Sequence, residues 1–143
     1  MTIFLDANIL VSVLNNEYPT FTYTSRIVSL ADHKEFTVFT SPICLAIAFY
    51  FSEKKSGTMM AKKKIQLLSD KLSITSVGKN EVVSAIQNKK VNDFEDGLEY
   101  YAAASYKSDA IITEDIKDFY FSTIPVYNSK DFFEKVLLKK NKK

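Results

Sequence analysis

MTIFLDANILVSVL, residues 1–14, sets the architecture. Thr2–Asp6 (TIFLD) is a short apolar run ending in an acid, and Asn8 and a second apolar stretch to Leu14 follow it. This pattern predicts a buried strand, a turn at Asp6, and a first helix capped near Asp6 to Asn8. The alternation continues downstream. Phe21, Ile27, Val28 and Leu30 recur at roughly helical spacing within residues 20–33, and Phe36–Thr40 (FTVFT) is β-branched and aromatic, a second strand. Ser41-Pro42 opens a helix running to about Lys55, with Ser as N-cap and Pro where its missing N–H costs nothing. Its nearly continuous apolar character predicts deep burial.

Gly57 breaks the chain, and a lysine-rich helix follows to about Asp70. Leu72–Thr75 reads as a third strand, and Gly78 leads into a helix over Asn80–Gln87. Asn92 or Asp93 caps a helix to about Lys107, with Leu98, Tyr101, Ala102 and Ser105 on one face. Ala110–Thr113 (AIIT) is a fourth strand, Pro125–Tyr127 a brief fifth, and Ser129–Leu138 a last helix. Strands alternating with helices predict an α/β fold with a central, mostly parallel sheet. No repeat or linker divides the chain, so residues 1–143 are expected to form one domain, with a basic tail at about 139–143.

Composition narrows the chemistry. At 143 residues, 46% of them hydrophobic, the chain can bury a sizeable core, and 25% charge argues against disorder. No apolar run is long enough to span a membrane, and the start lacks the features of a signal peptide. A cytoplasmic location with no membrane partner is therefore expected. A single Cys (Cys44) and a single His (His33) exclude a disulfide framework and a cysteine or histidine metal cluster. Cys44 reads as a small hydrophobe, and His33 as the end of the second helix. The three glycines lie too far apart for a dinucleotide fingerprint or a P-loop. Catalysis, if there is any, falls to carboxylates, hydroxyls or lysines.

The net charge of +2 hides an uneven distribution. From Asp93 to Asp118 there are eight acids against two lysines. Lys54, Lys55, Lys62, Lys63 and Lys64 form a basic block, read either as a solvated helix face or as a surface for a nucleic acid.

In parallel sheets, ligands bind beyond the C-terminal ends of the strands. Asp6 ends the first strand, Asp115 follows the fourth by two residues, and Asp96 lies in the first turn of the helix leading into it. If that helix starts at the same rim, the three carboxylates converge. Such a cluster repels itself unless a cation neutralises it, and oxygen donors suit Mg²⁺ or Mn²⁺. Each acid also has a structural reading: Asp6 as a cap of the first helix, Asp93 and Asp96 as a capping box, Asp115 or Thr113 as a cap of the next short helix, and Glu114 and Asp118 as solvated groups, while Asn8 reads as a turn residue or as a donor behind the acids.

FLDANIL at the start, DFEDGLEYYAAA at Asp93–Ala104, IITEDIKDF at Ile111–Phe119 and the closing STIPVYNSKDFFEK resemble, in order and spacing, the conserved stretches of PIN-domain proteins. The resemblance implies a three-layer α/β/α sandwich. It also implies a VapC-like toxin: a metal-dependent ribonuclease that hydrolyses RNA with a Mg²⁺-activated water and is restrained by a cognate antitoxin. Carried over by motif, Asp6, Asp96 and Asp115 would be the catalytic residues holding Mg²⁺ or Mn²⁺, with Asn8, Asp93, Glu114 and Asp118 in support. A homodimer is expected on the same ground. The family usually places an acid in the helix after the second strand, and here that position falls at about Ile47. Glu114 stands where relatives often carry Arg.

The departure at Ile47 motivates an alternative, a PIN-like domain that binds RNA or protein without cleaving. A phospho-acceptor receiver domain shares the α/β class, but the first strand lacks a following acidic pair. Phe49, Tyr50 and Phe51 read mainly as core. Tyr18, Phe21 and Tyr23 are placed between the first two helices, as aromatics for a dimer or antitoxin surface.

Overall fold

β1 (Thr2–Leu5) is the central strand of a five-stranded sheet in the computed structural model, which describes residues 1–141. β2 (Thr37–Thr40) flanks β1 on one side and β4 (Ala110–Ile112) on the other; β3 (Ser73–Ile74) and β5 (Val126–Tyr127) are the edges. The order is β3-β2-β1-β4-β5, and all four pairings are parallel. The mostly parallel sheet expected from sequence is wholly parallel. Two of its strands are mainly apolar because parallel strands are covered on both faces: Ile3, Phe4 and Leu5 of β1 and Ala110, Ile111 and Ile112 of β4 are all completely buried.

The crossovers are helical: α1 (Ala7–Leu14), α2 (Phe21–Ser29) with a 3₁₀ turn at Leu30–Asp32, α3 (Pro42–Ser56), α4 (Thr58–Lys71), α5 (Lys79–Gln87) and α6 (Phe94–Ser105). A 3₁₀ helix at Ile116–Phe119 follows β4. The chain closes with α7 (Ser129–Asp131), a π-helical stretch (Phe132–Leu137) and α8 (Leu138–Asn141). The result is the α/β/α arrangement, with helices flanking the sheet. Of the basic tail, Lys142 and Lys143 lie outside the described residues. Among the described residues, no helix is long and apolar enough to cross a membrane.

Local chemistry sets the boundaries. Ser41 accepts a hydrogen bond from the Cys44 N–H at 3.1 Å, with Pro42 in the first turn, so α3 starts where its cap predicts. Gly57 ends α3 at φ 84°, a left-handed conformation with no Cβ penalty, and α4 begins at the next residue. Tyr18 lies in the turn before α2, whereas Phe21 and Tyr23 belong to α2 itself rather than to the connection.

Deep burial of α3 is not found. Its buried positions are Cys44, Ala48 and Ser52, a single stripe at intervals of four, while Tyr50 and Phe51 are exposed. An apolar composition all round does not bury a helix that meets neighbours, here α1 and α4, on one side only. On α6 the buried side comprises Leu98, Glu99, Ala102 and Ala103 with Gly97 and Tyr100, while Ser105 is exposed, so the inward face is rotated from the expected one.

Gly97 of α6 packs tightly against Ala85 of α5 and against Val91 in the connection between the two helices. A Cβ there would stand 2.8 Å from Val91 Cγ1 and 3.0 Å from Ala85 Cβ. Gly97→Ala would gain about 1 kcal/mol of helix propensity but lose roughly 1–3 kcal/mol to overpacking. The expected result is a net destabilisation of about 1 kcal/mol, read as a lower urea midpoint at unchanged m. A midpoint raised by the substitution would mean that Val91 and α5 yield freely.

Candidate active site

The site grows out of the pairing of β1 with β4. Leu5 is in register with Ile112, so the next residues along, Asp6 and Thr113, face each other just beyond the strand ends. The Asp6 N–H donates to the Ile112 carbonyl at 3.0 Å and extends the ladder by one bond. Asp6 then caps α1, its Oδ1 accepting from the Ala7 N–H at 2.7 Å. Its Oδ2 accepts from the Thr113 hydroxyl, also at 2.7 Å. That hydroxyl accepts in turn from Asn8 Nδ2 (3.2 Å) and from the Asp115 N–H (3.1 Å). Asn8 completes the circuit, with Nδ2 3.2 Å from Asp115 Oδ2 and Oδ1 accepting from the Glu114 N–H at 3.1 Å. One buried threonine and one asparagine thus fix the position of Asp115 relative to Asp6.

In this strand order the β1–β4 boundary is the switch point, where connections run outward in opposite directions and leave a crevice. α6 enters that crevice at its N-terminus. Asp93 Oδ1 accepts from the Asp96 N–H at 3.1 Å, which sets the first turn and turns Asp96 into the crevice. A cavity of about 370 Å³ results, with Asp6, Asn8, Asp96, Asp115, Asp118 and Glu95 on its polar side and Val11, Ile47 and Phe51 on its apolar side. Glu17 also reaches it.

The three candidate ligands Asp6, Asp96 and Asp115 therefore share one cavity, joined by Asn8 and Asp118. Asp93 acts from outside the lining, as the α6 cap and as a charge felt by Asp96. Glu114 turns away: its Oε1 accepts from the Ser129 N–H at 2.8 Å, at the start of α7. Ile47 stands in the cavity wall where the resemblance expects an acid. Within the lysine block, Lys55 Nζ bonds the Asn15 carbonyl, and Lys64 Nζ bonds the Leu14 carbonyl (3.0 Å) and Ser56 Oγ (3.2 Å). Those two cations sit on the carbonyl end of α1, where the helix dipole favours them. Lys54 Nζ lies 4.3 Å from the centroid of the Tyr50 ring, and Lys62 and Lys63 are exposed.

Beneath the cavity is a group that sequence reasoning missed. Glu99, one turn along α6 from Asp96, is 1% exposed. Its Oε1 accepts from the Cys44 thiol at 3.3 Å, and its carboxyl is hydrogen-bonded to Asp6. Burial, then the charge of Asp6, push Glu99 up to about 10. Burial also pushes the Cys44 thiol well up. One ligand atom from each of Asp6, Cys44 and Glu99 lies within 4.8 Å of the others, a spacing that could hold a metal ion. With both protons in place, however, Glu99 donates to Asp6 and the Cys44 thiol donates to Glu99, so the pair braces Asp6 through Glu99. The signal in sequence was an acid between Leu98 and Tyr100 on an otherwise apolar helix face, three residues after Asp96. Thr113 was equally legible from the strand register.

The electrostatics carry the mark of an acid-rich site. Asp96 is raised to about 7, by burial first and then by Asp93, Asp118, Asp6 and Glu95. Glu95 and Asp118 are raised as well, again chiefly by desolvation and then by neighbouring acids. The donor set, all carboxylate and amide oxygen in an open cavity, suits a hard divalent cation.

Glu99 makes stability pH-dependent with a defined sign. Its folded-state value, about 10, lies above the ordinary 4.5, so its contribution is complete below about pH 4.5 and declines as pH rises towards 10. Glu99→Gln keeps a donor toward Asp6 and removes the titration. The variant is expected to match the parent near pH 4 and to exceed it at pH 8 by at least about 1 kcal/mol, a Tm rise of about 2–4 °C. A Tm difference independent of pH would contradict a protonated Glu99.

Comparison with protein families matches a PIN domain model to residues 2–117. Comparison with curated proteins gives no match. Among solved structures, the chain is similar to one in VapBC2 from Rickettsia felis bound to a DNA fragment from its promoter, with TM-score 0.69 and 19% identity over 90% of this chain and 98% of that one. It is also similar to VapBC-1 from nontypeable Haemophilus influenzae, with TM-score 0.66 and 15% identity over 91% and 99% of the two chains. A third is VapC20 of Mycobacterium tuberculosis, a toxin that cleaves the sarcin–ricin loop, with TM-score 0.60 and 16% identity over 76% and 86%. At these identities the structures speak for the fold, the family model covers most of the sequence, and the chain belongs to the PIN-domain family.

Proposed function

We propose that the protein is a divalent-metal-dependent endoribonuclease, the toxin of a type II toxin–antitoxin pair. The observation that carries the reading is the convergence of Asp6, Asp96, Asp115 and Asp118 in one cavity at the β1–β4 switch point, where Asp96 holds its proton up to about 7. Asp6, Asp96 and Asp115 would hold Mg²⁺ or Mn²⁺. A cation bound there would neutralise charge on an RNA phosphate and make an attacking water more acidic. The protein's own part is positional. Thr113 and Glu99 fix Asp6, Asn8 fixes Asp115, the Asp93 cap fixes Asp96, and Asp96 releases its proton as the site fills. A VapB-like antitoxin partner belongs to the same reading, since two of the similar structures are VapBC proteins, and a homodimer and a cytoplasmic setting are proposed with it. A second reading, binding of RNA or protein without cleavage, is favoured by Ile47, which leaves the α3 wall of the cavity without an acid.

Purified protein incubated with folded total RNA and Mn²⁺ should cleave it, and EDTA should abolish cleavage. Asp6→Asn, which retains a capping oxygen, and Asp96→Asn should each lower the rate at least about 100-fold, beyond what loss of an outer-sphere partner costs. Undiminished cleavage by both variants would overturn the reading. Folded protein that binds RNA with steep salt dependence but cuts none would favour the second.

Because a cation must displace the Asp96 proton, Mn²⁺ should raise Tm little at pH 5.5 and more as pH passes through about 7. In Asp96→Asn that dependence should flatten. A Mn²⁺ shift equal at both pH values would remove Asp96 from the ligand set.

A further inference from the structure

The apolar wall of the carboxylate cavity continues outward into an aromatic shelf. Ile47 and Phe51 are one turn apart on α3 and both line the cavity. Phe51 is nevertheless 45% exposed, and its neighbour Tyr50 is 50% exposed. The two rings meet edge to face, with centroids 5.3 Å apart and planes at 79°. Lys54, one turn beyond Tyr50, holds its ammonium 4.3 Å from the Tyr50 centroid. These rings therefore contribute little to the core. They stand at the edge of the acidic site with a cation behind them.

We infer that Phe51 and Tyr50 form a stacking subsite for an unpaired RNA base next to the phosphate held in the carboxylate cavity, with Lys54 contacting the neighbouring backbone phosphate. The inference rests on the ribonuclease reading and adds to it the residues that would hold a base beside the cut. Three features favour RNA as the occupant. Phe51 lines the same cavity as Asp6, Asp96 and Asp115, so a base stacked on it would lie beside a phosphate at those acids. An exposed aromatic face beside a lysine is the combination that binds single strands, with rings for bases and ammonium for phosphates. Lys54 rests on the Tyr50 ring, on the shelf side, whereas Lys55 and Lys64 bond the carbonyls that end α1. The subsite selects for unpaired nucleotides because a base inside a duplex has no free face to offer the ring.

The test uses the 143-residue Asp96→Asn protein, in which cleavage is blocked, and a short single-stranded RNA carrying 2-aminopurine. Stacking should quench the fluorophore. Phe51→Leu, which keeps an apolar side chain but not the ring, should abolish the quench and weaken binding about 5- to 150-fold, the range for loss of one base–aromatic stack. Phe51→Tyr should restore both. Lys54→Gln should lower the slope of log affinity against log salt by about 0.7, the value of one single-strand phosphate contact. Leu67→Ala, on the exposed side of α4, is the control and should leave binding unchanged. RNA bound equally by Phe51→Leu, without quenching in either protein, would overturn the shelf and leave the ribonuclease reading standing. So would a dimer that dissociates in Phe51→Leu while RNA affinity stays the same, since the rings would then belong to a second copy. No RNA binding by any form, together with no cleavage by the parent, would remove both the shelf and the reading beneath it.

Discussion

A single hydroxyl, that of Thr113, holds the architecture of the site together. It donates to Asp6 across the strand ends and accepts from Asn8 and from the backbone of Asp115. In a buried position the Asp6 carboxylate needs donors on both oxygens, and it finds them in the α1 backbone and in Thr113. A side chain there that could not donate would leave Asp6 Oδ2 without that bond and would release the loop carrying Asp115. The sheet order follows the same logic: only with β4 beside β1 do Asp6 and Thr113 become neighbours.

Around that contact the protein sets up a tension and partly relieves it. Like charges crowd the crevice, and burial penalises each of them further. Relief comes from protons rather than from basic side chains, since no lysine lines the cavity among the described residues. Glu99 and Cys44 stay protonated and donate inward, so the floor is neutral while the mouth is acidic. That gradient suits a cation arriving from solvent: the donors exposed at the mouth are oxygens, and the layer beneath keeps Asp6 pointed at them.

Much of this was legible in the sequence because the fold repeats one simple rule, an apolar run that ends in a polar residue at the sheet rim. TIFLD and AIIT announced both the central strands and the acids beyond them, and the Asp93 cap put Asp96 at a helix start. Contacts between distant segments were harder to read. Nothing local distinguishes Glu114, which serves α7, from Asp115, which faces the cavity; the direction of one peptide separates them. Lys55 and Lys64 looked like surface charge because the carbonyls they reach belong to α1, far back in the chain. α3 looked like core because composition does not reveal that only one of its faces has neighbours.

Asp6 and Thr113 are 107 residues apart in the chain, and nearly the whole domain lies between them. A contact that closes so long a loop forms late, after its entropy has been offset by other packing. During synthesis, therefore, the emerging polypeptide can pair β1 with β2 and pack α1 against α3 while the cavity does not yet exist. The acids of α6 and of the segment after β4 reach Asp6 only once residues 93–118 have been made. An incomplete or prematurely terminated chain would thus carry every element of the first half and no assembled site.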